Sequence, residues 1–518
     1  MKLRVIRQIS AWRSPLPDLL KSPRLARWLL AFTLVFLGLP STQVSADIFR
    51  VRLPTGGEEE IEARLAGTGQ GAMALELADG QFRIVAEGAV VERKIQEGPQ
   101  PLSGDEVARG LVERFGDDLT FTLVKEPYVY VLVVGTPLPR ASEARAKNFL
   151  QRVASFFKNV DHAFANFAKE AKLRVEAPTH LLPVLIFETQ PDFEKYAQSI
   201  TGGQGLSVGR ISGFYSGITN MLAIRLAECR TFEVPLHEAI HQLSYNRNIF
   251  QRVSAVPHWF DEGLATGFEA NQGKVSIGPT LVSPRYARQV RGADRVSFES
   301  ILQNDQAFAG DVLAGEAYGR AWALHWLLVT KYRAQYGAYV RILAAKQTLA
   351  KEDPEQRLAD FREAFGKSPT EVERDFRTTI EAAIKKQKVV IDPEKPKGIS
   401  VTHENVGTVE MSAVNRADEA GSRLEVQGKL TNVSPLRAMA FHVTVETDAG
   451  TYAEWHVPTL DSNKSSNLGG QVVMKRMRGG RGGNSRTFRV RIRSAPADSA
   501  EAAAWKEGKL PIPAVDEN

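Results

Sequence analysis

His237 and His241 stand four residues apart in Leu236-His237-Glu238-Ala239-Ile240-His241-Gln242-Leu243. On a helix that spacing places two imidazoles one turn apart on one face, so both can reach a single metal ion. Glu238 is rotated by about 100° from His237, close enough to hold a metal-bound water without ligating the ion. Uncharged residues fill the two remaining places, which suits a helix buried beneath a cleft. A buried helix whose histidines make ordinary hydrogen bonds would read the same way, and a third ligand is what separates the two.

A second helix follows, opened by Pro257: Pro257-His258-Trp259-Phe260-Asp261-Glu262-Gly263-Leu264-Ala265-Thr266. Between His241 and Glu262 there is room for a loop and an antiparallel return, so Glu262 would complete a His₂Glu site with the fourth position left to water. His258 lies one turn before Glu262 on the same face, and spacing alone admits either. Asp261 and Thr266 are candidates for orienting a ligand imidazole; helix capping accounts for either equally well.

HEAIHQL followed by WFDEGLA resembles the gluzincin metallopeptidases, the group containing thermolysin and the aminopeptidase N-like enzymes. Those share HExxH on one helix and a glutamate ligand in an E-G-x-A-like stretch on the next. The surrounding chain, roughly 127–387, also resembles a secreted bacterial family, domain of unknown function fifteen-seventy. That likeness runs through the hairpin Gly213–Ile224, the segment Tyr318-Gly319-Arg320-Ala321-Trp322-Ala323-Leu324 and Phe361–Phe376.

The resemblance implies one zinc ion (Zn2+) held by His237, His241 and Glu262, with Glu262 favoured over His258 as the third ligand, and Glu238 as the catalytic acid/base. Zinc would bring the pKa of its bound water to near 7, and Glu238 would take the proton as that water attacks a peptide carbonyl. Tyr318, near a helix start, would stand over the oxyanion as a second catalytic residue; a core tyrosine explains the same position. The strand Asn220–Ile224 would hold a peptide or protein substrate by strand addition. No Gly-Ala-Met-Glu-Asn segment of the aminopeptidase type occurs, so aminopeptidase specificity does not carry over.

These residues need a scaffold, and the hydropathy pattern describes a multidomain α+β chain. Residues 47–96 read as short strands of a small β domain, a pattern that a barrel would fit, with turns at Gly56-Gly57 and Asp79-Gly80. A connecting segment, 97–126, leads to the gluzincin-like metallopeptidase domain, 127–387. There Ser142 is placed to cap a long helix whose core stripe is Phe149, Val153, Phe156, Val160, Phe164 and Phe167. Thr189 with Asp192 opens a shorter helix as a capping box. His325 reads as packed in a helix core. A polar, proline-bearing linker, 388–399, precedes strands at 400–496 that read as a C-terminal β-sandwich, and 497–518 read as a loose tail.

Residues 1–46 have the parts of a signal peptide: a basic stretch, an apolar run from Trp28 to Leu39, and Val44-Ser45-Ala46 before Asp47. The run is shorter than the roughly 20 residues that span a bilayer. Cleavage before Asp47 and a periplasmic or extracellular location are the expectation; a retained segment would be an anchor. The net charge of +6 among 518 residues arises there, seven Lys and Arg facing one acid, so the basic balance is no argument for a nucleic-acid partner, and none is expected. Cys229 is the one cysteine, and an internal disulfide is excluded. The acid-free run Lys475–Arg486 would suit cell-envelope contact through the sandwich, although a solvated loop explains it. The rival function is a non-catalytic envelope-binding protein with a structural metal. Glu238 separates the two, since a structural site needs no base.

Overall fold

The computed structural model describes residues 45–97, 100–201, 212–269, 275, 278–292, 295–308, 314–351, 353–391, 400–403, 406–418, 421–447, 452–474 and 488–509. The signal-like segment up to residue 44, the basic run 475–487 and the last nine residues lie outside them.

The N-terminal unit is one antiparallel sheet of β1 (Ser45–Arg52), β2 (Glu58–Gly69), β3 (Ala72–Glu76), β4 (Phe82–Ala86) and β5 (Val90–Glu97) in the order β4-β3-β2-β1-β5. The described pairing leaves β4 and β5 as edges, so the sheet is open and not a barrel. Alternation puts Phe49, Val51, Ile61, Ala63, Leu75 and Val85 on its buried face. Gly80 has φ +81, and a Cβ there would meet His180 Cβ at 2.7 Å, so the turn is pressed against the next domain.

The central sheet contains β6 (Thr120–Lys125), β7 (Tyr128–Val133), β8 (Leu182–Phe187), β9 (Gly213–Ser216) and β10 (Met221–Arg225) in the order β6-β7-β8-β10-β9. Parallel β7, β8 and β10 are buried on both faces, which is why they read as unbroken apolar runs. One face carries α1 (Gly104–Phe115) and α3 (Gln190–Thr201); the other carries α2 (Arg140–Glu170) and α4 (Glu233–Asn246). The segment 97–126 is therefore more than a connection, supplying α1 and an edge strand of this sheet. Thr189 and Asp192 cap α3 as expected. Ser142 caps nothing: Pro139 stands at the N-cap with φ already near helical values, so α2 starts earlier and Ser142 is buried within it. Phe157 takes the buried place expected of its neighbour Phe156.

Beyond α4 the chain is helical: α5 (His258–Glu269), α6 (Pro284–Gly292), α7 (Phe298–Gln303), α8 (Ala314–Lys331), α9 (Arg333–Ala344), α10 (Pro354–Phe365) and α11 (Pro369–Gln387). Gly263 explains how α5 lies so close to α8, because a Cβ there would meet Ala321 O at 2.7 Å.

The C-terminal unit is the expected two-sheet sandwich of β11 (Ser400–His403), β12 (Gly407–Asp418), β13 (Gly421–Asn432), β14 (Met439–Thr447), β15 (Tyr452–Leu460), β16 (Ser465–Met474) and β17 (Phe488–Pro496). Its sheets have the orders β11-β17-β14-β15 and β12-β13-β16. The residues after 496 are not a loose tail as far as 509. Ser499 caps α12 (Ala500–Lys506), and its Ala502 and Trp505 are buried against Ala440 and Ala495. A small apolar patch sufficed to fix a helix where composition suggested none. The sandwich is locked to the central sheet by Arg437, which makes a bidentate bond to buried Glu188 at 2.8 and 2.7 Å.

Candidate metal centre

Leu236, Ala239, Ile240 and Leu243 bury one face of α4 against the central sheet. This fixes the helix's rotation and turns His237, Glu238 and His241 toward α5 and a cleft of about 880 Å³. His237 Nε2 lies 3.1 Å from His241 Nε2 and 3.0 Å from Glu262 Oε2, and His241 Nε2 lies 3.7 Å from the same oxygen. Bonds of about 2.0–2.1 Å at tetrahedral angles place ligand atoms roughly 3.3 Å apart, so this triangle fits one ion. His237, His241 and Glu262 can hold a metal ion.

The second nitrogen of each imidazole settles which atoms are lone pairs. His237 Nδ1 lies 2.7 Å from Glu269 Oε1, and His241 Nδ1 lies 2.8 Å from Asp261 Oδ1. A carboxylate only accepts, so each Nδ1 carries a proton and each Nε2 can offer its lone pair to the triangle. Two such lone pairs beside a carboxylate oxygen repel unless a cation, or protons, sit among them. Burial opposes a charged His237, yet the bonds to Glu262 and Glu269 outweigh it and raise the pKa to about 10. His241 is raised in the same way, against burial, by Asp261 and Glu262. The donor set is therefore built for positive charge, which a divalent ion supplies in place of protons.

A tyrosine backs each carboxylate. Tyr245 OH donates to Asp261 Oδ2 at 3.0 Å, and Tyr286 OH donates to Glu269 Oε2 at 2.8 Å. Asp261 thus orients His241, as its place beside Glu262 suggested. Thr266 orients nothing in the site: its hydroxyl donates to the carbonyls of Glu262 and Gly263. Glu269, Tyr245 and Tyr286 were not singled out in the sequence. Glu269 follows Glu262 by two helical turns and Tyr245 follows His241 by one, and those intervals were the available signal. Tyr286, on α6, gave none.

Glu238 does not join the triangle. The backbone N–H of Tyr215 donates to its Oε2 at 2.9 Å, tying the carboxylate to β9. Burial raises its pKa above the ordinary carboxylate value, partly offset by His237 and His241. The expected substrate strand needs moving by one: β10 is paired on both sides, with β8 and with β9, so the described edge on the side next to the cleft is β9. Gly213 to Tyr215 of β9 line the cleft.

Tyr318, on the fifth residue of α8, also lines the cleft. Burial and the carboxylates of Glu262 and Glu238 push its pKa well up, so the phenol stays protonated and can donate. His258 faces the other oxygen of Glu262, Oε1, at 3.4 Å, and its ring meets Phe308 edge-on. It is not among the converging ligand atoms. His325 is fully buried, bonded to Tyr336 OH at 3.0 Å, with its pKa pushed down by burial to about 3.

The same helices carry a family signature. Residues 234–350 match the model of "Protein of unknown function (DUF1570)". The DUF1570 match begins on α4 and runs through α5, α8 and α9, so it contains His237, His241 and Glu262 together with Tyr245 and Tyr286. It is narrower than the span 127–387, leaving the central sheet outside. No curated protein matches the sequence. Among solved structures, Legionella pneumophila aminopeptidase A in complex with aspartic acid is similar at TM-score 0.27 and 10% identity, covering 73% of this chain and 35% of that one. The chain thus spans about a third of that enzyme's length.

Proposed function

We propose that the protein is a zinc-dependent peptidase of the gluzincin type, with His237, His241 and Glu262 as ligands and Glu238 as acid/base. The observation that carries this reading is the pairing of a three-atom metal triangle with an unligated, buried carboxylate one residue from the first ligand. A structural site would have no need of that carboxylate. Bound zinc would activate a water near neutral pH and polarise the scissile carbonyl.

The chain's own groups do the rest. Glu238 takes a proton from the attacking water and passes it to the leaving amine, its raised pKa suiting it to both tasks. Tyr318 donates to the developing oxyanion. Edge strand β9 aligns the substrate backbone by strand addition. The leader-like residues 1–46 make an exported, periplasmic or extracellular enzyme the accompanying proposal. The test is metal analysis of purified protein alongside cleavage of a broad peptide library, before and after chelation. Loss of cleavage on chelation and its return with zinc are expected; cleavage insensitive to chelation would refute the reading.

A further inference from the structure

A second cavity, of about 670 Å³, opens where α2 and the chain entering α4 meet the C-terminal sandwich. Arg145, Phe149 and Arg152 line it at helical spacing, four and then three residues apart, so they share one side of α2. Arg230 and Phe232 come from the segment before α4, and Pro435 and Asn463 from loops of the sandwich. Neither domain alone encloses the space.

Its chemistry is asymmetric. None of the three arginines has a carboxylate within ion-pair distance among the described residues. Arg225, Arg247, Arg252 and Arg437, by contrast, are each paired with an acid. Three unneutralised guanidinium groups around one concavity repel each other and present forked donors suited to a carboxylate or phosphate. Beneath them the floor is aromatic. Phe149 is buried with the Arg152 guanidinium 5.8 Å from its ring centre, and Phe232 stacks on Phe156 at 4.3 Å. The volume lies within the usual range for small-molecule sites.

Phe232 also holds a left-handed backbone, φ 59, at the N-cap of α4. That conformation is uncommon for a bulky residue and tends to persist where surrounding structure enforces it. The next two residues, Glu233 and Val234, line the metal cleft, so one short stretch of chain borders both spaces.

We propose that this cavity binds a small organic anion, its carboxylate or phosphate on Arg145, Arg152 and Arg230 and its apolar body against Phe149 and Phe232. The proposal is independent of peptide hydrolysis at the metal cleft.

Anilinonaphthalene sulfonate, an aromatic anion whose fluorescence rises on leaving water, is a suitable probe for the full-length folded protein. Saturable binding to one site is expected, competed by phenyl phosphate and phenylacetate, weakly by inorganic phosphate and not by benzyl alcohol. The first two competitors show whether phosphate or carboxylate is preferred. Arg145→Glu with Arg152→Glu should weaken binding by about tenfold or more, since charge-assisted bonds are lost. Both side chains are exposed, so melting temperature and zinc content should be unchanged. Arg152→Lys should retain most of the affinity. Absence of saturable binding, binding indifferent to the charge reversal, or equal competition by benzyl alcohol would each overturn the proposal. So would binding of a sulfated polysaccharide with none of the small probes.

Discussion

Glu269 accepts the Nδ1 proton of His237 at 2.7 Å, from the last residue of the helix whose fifth residue is Glu262. The two helical turns between Glu262 and Glu269 put one carboxylate on each side of the same imidazole. Glu269 fixes the ring's tautomer and aim from outside the triangle of His237, His241 and Glu262. Glu269→Gln should keep the fold but weaken metal affinity by about 10–100-fold, the usual cost of losing such a partner. Titration against a competing chelator measures it, and unchanged affinity would leave Glu269 a packing partner of His237 and Tyr286 alone.

Glu262 and His258 sit one turn apart, but only Glu262 Oε2 faces the two Nε2 atoms. Glu262→Ala should remove most zinc from the purified protein, while His258→Ala should leave it near stoichiometric. Metal analysis of the two variants decides the matter, and the opposite pattern would exchange their roles.

How much of this was legible beforehand follows from the range of each signal. The two histidines and Glu262 announce themselves because helical periodicity converts sequence spacing directly into a shared face. Gly263 was visible only as part of a motif, and the close approach to Ala321 O that requires it depends on a helix more than fifty residues away. The edge beside the cleft is β9 and not Asn220–Ile224, because alternation does not reveal which strand pairs on both sides. Trp505 reads as part of a tail because the surface that buries it is made by two strands, Ala440 on β14 and Ala495 on β17, whose pairing the local sequence does not show.

Tyr318 occupies the cleft with its hydroxyl kept neutral by burial and nearby carboxylates. Tyr318→Phe should preserve zinc content and melting temperature while lowering the hydrolysis rate by about 10²–10³, the usual effect of removing one oxyanion donor. An unchanged rate would make Tyr318 a wall of the cleft and nothing more.

Glu76, at the end of β3, joins the N-terminal sheet to the central domain through buried Arg252. Burial raises its pKa, but His180, Arg252 and Arg64 together lower it to about 2 from an ordinary 4.5. A carboxylate depressed on folding contributes stability above its unfolded pKa and loses it as pH falls through the folded value. The contribution should be about 3 kcal/mol at neutral pH and should vanish between about pH 5 and pH 2. Denaturant melts across that window should show a shallower acid limb in Glu76→Gln than in wild type, with lower stability at pH 7. Parallel acid limbs would show that Glu76 does not link the domains in this way.

The carboxylate of Glu238 is one residue from His237, yet it is held away from the triangle by the Tyr215 N–H at 2.9 Å. Gln can accept that same backbone bond and fill the same space, so Glu238→Gln isolates one property, the ability to take up a proton. If the site is catalytic, the variant should lose nearly all turnover while zinc stoichiometry and melting temperature barely move, because all three ligands remain. If the metal only holds the fold, wild type and variant should be indistinguishable in every assay, hydrolysis included. Side-by-side measurement of zinc content, thermal melting and peptide cleavage separates the cases. A variant that cleaves as fast as wild type would place the activity somewhere other than this cleft.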